Sequence, residues 1–252
     1  MSHFYELKEQ RKVSFLPEVT TQPQANKTDG VVVKSVTTML KLLPNEFISK
    51  WMNEQFWKLG KMGIALDLSW ARVWGERTCP ETGVLIGSSE WGTEIHKQLE
   101  LAADAYKEGA DYRNHSWKGW TDLWVKWLQD NDVSVEGLEL YVGCTNRMVA
   151  GSIDFLGIKD GKYFLADFKS RSIGRGDIKS KAYEKDACQL AIEAEIIKEK
   201  YNLDYRPRIY TIIVNTDKFE MYPKLWTVAA QAKALAKAEA ANTFYNAYYG
   251  VK

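Results

Sequence analysis

Apolar positions recur along this chain with two different periods, and the periods mark different segments. In EWGTEIHKQLELAADAY, opened by Ser88 or Ser89, the residues Ile95, Leu99, Ala102 and Tyr106 fall three or four apart, which predicts a helix with one face on a core. GWTDLWVKWLQD repeats the pattern with Trp120, Leu123, Trp124, Trp127 and Leu128. A third helical pattern runs from about Lys181 to Tyr201, and the alanine-rich stretch LWTVAAQAKALAKAEAANTFYNAYY predicts a long C-terminal helix. Near the start, Thr37 or Thr38 is placed to cap a short helix carrying Met39, Leu40, Leu42 and Leu43. Pro44-Asn45 interrupts it before a second helix with Phe47, Trp51, Phe56 and Trp57.

After the tryptophan-rich helix the period drops to two. Gly137 to Thr145, Gly151 to Ile158 and the following YFLADF predict a meander of strands, turning at Asn146-Arg147 and at Asp160-Gly161. Arg208 to Asn215, RIYTIIVN, is apolar on both faces, which predicts a central strand covered on both sides. The order of elements implies an α/β fold with a mixed central sheet flanked by helices. Asp-Gly is the strongest short hairpin signal, and it sets a register. Lys159 faces Lys162, Ile158 faces Tyr163 and Phe155 faces Ala166, so Asp154 stands opposite Asp167. Lys169, two residues beyond Asp167, shares its face.

Composition narrows the setting. With 252 residues and 45% apolar content the chain can bury a large core, and we read residues 31–252 as one domain behind a polar, loosely held lead-in, residues 1–30. A formal charge of +1 means that a nucleic-acid partner has to be met by a local basic patch. The cysteines, Cys79, Cys144 and Cys188, are scattered and form no CxxC pair, which suggests neither a disulfide framework nor a structural zinc site. The N-terminal stretch has no apolar signal core and no run is long enough to span a membrane, so a cytoplasmic protein is expected.

Two carboxylates and a lysine on one sheet face have a bland reading, a solvated ion-pair network. Their surroundings argue otherwise. Asp154 lies in GSIDFLG and Asp167 between Ala166 and Phe168, and charges in such apolar sequence are seldom free surface residues. Paired carboxylates suit a hard cation such as Mg²⁺, which also takes phosphate oxygens. Lys169 is then placed to hold or deprotonate a water, or to neutralise charge building on a phosphorane.

The stretch Asp154…Asp167-Phe168-Lys169 resembles the PD-(D/E)xK nucleases, in which an Asp on one strand and D/E-x-K on the next build the metal site. Gly92-Thr93-Glu94-Ile95-His96, followed by Glu100, is similar to the G-T-x-x-H-x-x-x-E helix of the RecB-like exonuclease branch. Gln189 is similar to the Gln of its Q-x-x-x-Y helix. Ser35 to Leu40, SVTTML, resembles the start of the mitochondrial genome maintenance exonuclease and small phage exonucleases; the likeness runs from Ser35 to about Val214. One position departs from the pattern: Glu193 stands where the branch has Tyr, and Tyr183 is the tyrosine nearest at hand to substitute. The resemblance implies a restriction-endonuclease-like core and an Mg²⁺-dependent DNA exonuclease, with Mn²⁺ substituting. Asp154, Asp167, His96 and the Phe168 carbonyl would hold the metal, Lys169 would be the catalytic lysine and Gln189 a supporting residue. Some members of the branch carry an iron–sulfur cluster on four cysteines, which three scattered cysteines do not provide. The expected partners are DNA and a single-strand-binding or recombination protein, without a membrane, and the likeness suggests a phage origin and hence a bacterial host's cytoplasm.

Alone, a helical His is more often a hydrogen bonder at a core edge than a ligand; the neighbouring stripe and the resemblance favour ligand for His96. Glu100 and Glu139 are lesser candidates: Glu100 either orients water at the site or pairs with Lys97. The segment KSRSIGRGDIKSKAYEK directly follows the catalytic strand, and its glycines suggest a mobile loop that grips phosphates through Ser170, Arg171, Arg175, Lys179 and Lys181. Most tryptophans fall at core spacing; Trp117, outside the stripe and beside His115 and Lys118, is the candidate for stacking on a base. The loop CPETG is a candidate cover for the site. An endonuclease or flap nuclease on the same core, and a non-catalytic DNA-binding recombination protein, are the rival readings.

Overall fold

A computed structural model of the protein describes residues 4–6, 11–12, 32–43, 76–111, 116–144, 146–174 and 176–249. In chain order its elements are β1 (Phe4–Glu6), β2 (Arg11–Lys12), β3 (Val32–Ser35), α1 (Val36–Met39), β4 (Glu76–Thr78), β5 (Leu85–Gly87), α2 (Ser88–Glu108), α3 (Lys118–Asp130), β6 (Ser134–Cys144), β7 (Val149–Lys159), β8 (Lys162–Arg171), α4 (Glu184–Lys200), β9 (Arg208–Asn215), β10 (Met221–Leu225) and α5 (Val228–Tyr249). The segment expected to hold Phe47, Trp51, Phe56 and Trp57 lies outside the described residues.

Among the described residues one mixed sheet runs in the order β10-β9-β8-β7-β3-β1-β2, with β6 also paired to β7, while β4 and β5 form a separate hairpin. Helices flank both faces. Trp91, Ile95 and Leu99 of α2 and Trp124 and Leu128 of α3 pack with Phe155, Phe164, Phe168 and Ile212 on one side. Leu190, Ile196 and Ile197 of α4 and Leu235 and Ala238 of α5 pack with Leu156, Leu165 and Ile209 on the other. β9 is covered on both faces, as its continuous apolar run predicts, and it lies parallel to β8. Among the described residues no helix is long and apolar enough to cross a membrane.

The meander follows its local signals. Asp160 and Gly161 both take positive φ, 52° and 70°, the geometry of a two-residue hairpin turn that matches the strand twist. The pairs Lys159–Lys162, Ile158–Tyr163 and Phe155–Ala166 form in the expected register. Two expectations need correction. Ser35, not Thr37 or Thr38, caps α1, its Oγ accepting from the Thr38 N–H at 3.0 Å. The lead-in is not wholly loose: β1 and β2 join the sheet beyond β3. Lys34 of β3 is fully buried and donates to the Met148 carbonyl at 3.0 Å and to Asn246 Oδ1 at 2.6 Å, tying the sheet to α5.

Candidate active site

The site lies where the sheet divides. β6 pairs with β7 from Val149 to Ile158, so β8 and β3 share the opposite edge of β7: β8 takes Phe155 to Lys159, and β3 takes Val149 and Ala150. Residues 151–154 face the fork between them. Asp154 sits at its mouth, where the strand ladder gives way to a side-chain bond: the Phe168 N–H donates to Asp154 Oδ2 at 2.8 Å. The ladder thus stops at Phe155–Ala166, one pair short of the predicted Asp154–Asp167 facing, yet the two carboxylates feel each other's charge and both are buried, Asp154 at 9% and Asp167 at 3% exposure.

From β8, Asp167 receives Lys169 Nζ at 2.8 Å on Oδ1 and 2.7 Å on Oδ2. Burial pushes the Asp154 carboxyl well above the ordinary range and the charge of Asp167 adds to the shift. For Lys169 burial works toward the neutral amine, but the negative charges of Asp167, Asp154 and Asp186 outweigh it and hold the ammonium protonated above its usual pKa. The α2 layer contributes His96, whose Nδ1 lies 3.5 Å from Asp154 Oδ2. Burial and then the charge of Lys169 lower its pKa to about 4, so at neutral pH the imidazole is uncharged and keeps a lone pair for a ligand. Behind it, Glu100 is pushed up to about 8 by burial and by the charge of Glu139, to which it is hydrogen-bonded. Glu139 adopts φ 44° on β6 and accepts from Ser152 Oγ at 2.7 Å.

The other flanking layer contributes α4. Gln189 Nε2 donates to Asp167 Oδ1 and to Glu193 Oε1, each at 3.3 Å. Glu193 is 1% exposed, and burial followed by the charges of Asp167 and Asp154 raises its pKa well above the ordinary value. Read along the chain, Glu193 was only a departure from a motif. Its spacing of four from Gln189 on one helix was the signal that placed it at the site.

Arg171 and Trp117 do not take the positions expected of them. Arg171 Nη2 donates to both oxygens of Asp186 at 2.7 Å and its guanidinium lies 4.0 Å from the Tyr183 ring, so it links the end of β8 to the start of α4 instead of facing a phosphate. Tyr183 caps α4 from outside the helix and does not share the face of Gln189. Trp117 is fully buried, edge-on to Trp91 at 5.1 Å, and has no open face for a base. Ser170 packs against α2 where Gly92 leaves room: a Cβ there would lie 2.8 Å from Ser170 Oγ. Lys179 is exposed and Lys181 half-buried on a short 3-10 helix, and Arg175 lies outside the described residues.

The segment following β8 is anchored on both sides of Arg175. Ile173 and Ile178 pack on Ile213, and Asp217 accepts from Ser172 Oγ at 2.8 Å, from the Ile173 and Gly174 N–H groups at 2.9 and 3.0 Å, and from Arg77 Nη1 at 3.0 Å. Cys79 to Gly83 form the turn of the β4–β5 hairpin, which Arg77 ties to Asp217. All three cysteines are buried and free.

Among the described residues, no three His, Cys, Asp or Glu side chains are gathered as a ready ligand cage. In kind, however, the donors at the fork fit a hard divalent cation. Three buried carboxylates, Asp154, Asp167 and Glu193, feel the charge of one lysine, Lys169, which is bonded to Asp167, and among the described residues Glu193 Oε2 has no hydrogen-bond partner.

No protein-family model matches the chain, and no curated protein does. Among solved structures, one described as "Crystal structure of SSO0001" aligns with 83% of this chain and 84% of its own at 12% identity and a TM-score of 0.33, a likeness too slight to carry an argument.

Proposed function

We propose that the protein is a divalent-cation-dependent deoxyribonuclease of the PD-(D/E)xK type, acting as an exonuclease. The observation that carries the reading is the fork itself. Asp154 and the Asp167-Lys169 pair meet where β7 and β8 part, with His96 entering from one helical layer and Gln189 from the other. The sequence motifs of the RecB-like branch support the same assignment, and the choice of exonuclease over endonuclease rests on them.

In this reading Asp154, Asp167 and neutral His96 hold the cation, with the Phe168 carbonyl as a further donor. Bound there, Mg²⁺ supplies Lewis-acid polarisation of the scissile phosphate. Lys169, kept protonated by its acidic neighbours, acts as a donor and a positive charge toward the phosphoryl oxygens instead of as a base. Gln189 steadies Asp167, and the Phe168 N–H steadies Asp154. Lys179 and Lys181, beyond the end of β8, approach the DNA backbone.

Digestion of end-labelled single- and double-stranded DNA, with a covalently closed circle as control, tests the proposal in Mg²⁺, Mn²⁺ and EDTA. Metal-dependent loss of linear DNA alone, reduced at least about 10²-fold by Lys169→Ala, is the expected result. Cutting of the circle would replace the exonuclease with an endonuclease. DNA binding without cleavage in either metal would leave a non-catalytic DNA-binding protein as the better account.

A further inference from the structure

We infer that Glu193 is a further ligand of the divalent cation, so that the site takes up its metal with three carboxylates, one of them from α4. The inference rests on the proposed nuclease reading and extends it to a residue that the motif does not assign.

The argument begins with an unmet bond. Glu193 is 1% exposed, yet among the described residues its Oε2 has no hydrogen-bond partner, while Oε1 receives the Gln189 amide at 3.3 Å. A buried carboxylate oxygen left bare is costly whether or not the group is ionised. As a neutral acid Glu193 would need an acceptor for its O–H, and among the described residues Oε2 has no hydrogen-bond partner. As a carboxylate it is helped by the charge of Lys169, but that ammonium is bonded to Asp167 and does not offset burial and the charges of Asp167 and Asp154.

The backbone has made room for this side chain. Gly151 lies on the open edge of β7 in the fork, and a Cβ there would stand 2.8 Å from Glu193 Oε1. Glycine weakens a strand interior, so its presence here marks a close approach. The amide of Gln189 then bridges Glu193 Oε1 and Asp167 Oδ1, which aligns the two carboxylates toward the same space. A hard cation with several oxygen ligands meets every one of these conditions.

The test measures cation uptake by the full chain without DNA. Thermal melts and Mn²⁺ electron paramagnetic resonance, titrated with MnCl₂, compare the wild type with Glu193→Gln, Glu193→Met and Asp154→Asn. Both Glu193 variants remove an unpaired buried carboxylate and should melt no lower than the wild type in EDTA. The expected result is that Mn²⁺ raises the wild-type Tm and that all three variants need about tenfold more ion or greater for the same response. If Asp154→Asn loses uptake while both Glu193 variants bind as the wild type does, Glu193 is not a ligand and the nuclease site stands without it. If the wild type takes up no Mn²⁺, or Asp154→Asn binds as well as the wild type does, the inference falls together with the cation reading beneath it.

Discussion

At the scale of single residues, the site is governed by which charges are matched. Lys169 is matched by Asp167, Arg171 by Asp186, and Asp217 by a ring of donors, whereas among the described residues Glu193 Oε2 has no partner. Asp217 shows how far matching shifts a group. Burial alone would raise its pKa, but the bonds from Gly174, Ser172, Arg77 and Ile173 outweigh burial and hold it at about 2. An acid held below its unfolded value of about 3.9 stabilises the fold fully above about pH 4 and loses that contribution as the pH falls toward 2. Asp217→Asn should therefore lower the Tm at pH 7, and the gap to the wild type should close as the pH falls from about 4 to about 2. A gap of constant size across that range would assign the carboxylate a purely steric role.

The β7–β8 hairpin is the element on which the site depends, because its register brings Asp154 to Asp167. That register is held by the Asp160-Gly161 turn and by aromatic packing behind the strands, where Phe155 and Phe164 lie 5.7 Å apart. Gly157 permits this packing: a Cβ there would come within 2.6 Å of Phe155 and 2.8 Å of Phe164. Both rings are buried against the α3 tryptophans and have little room to retreat. Gly157→Ala should cost about 1–3 kcal/mol by overpacking, read from chemical denaturation. A neutral outcome would mean that the rings move without penalty. Much of this element was legible in advance, since alternation and turn chemistry are both local. β10 escaped notice because Pro223 argues against a strand; the sheet tolerates it since β10 is an edge strand of the described sheet, where a missing N–H need not pair.

For the whole molecule, the two helical layers converge on one fork in the sheet, and in the proposed reading Lys179 and Lys181, in the segment after β8, contact the DNA. With a net charge of only +1, affinity has to come from local contacts. Lys179→Ala/Lys181→Ala should weaken binding to all sequences alike and reduce the slope of log affinity against log salt by about 1 per lost phosphate contact. An unchanged slope would place the DNA elsewhere on the surface. Arg171 and Trp117 carried the expected chemistry but not the expected exposure, because what occupies them, Asp186 and Trp91, is distant in sequence or across a helix boundary. Residue pattern by itself determined the meander, its register, the buried β9 and the main helices, since each depends on spacing within a few residues and on turn geometry. Only the tertiary structure decided that the sheet forks at β7, that Glu193 ends buried with Oε1 beside Gly151 and, among the described residues, Oε2 without a partner, and that Asp217 anchors the segment after β8. Those outcomes depend on which distant segments exclude water from one another, and no local period encodes that.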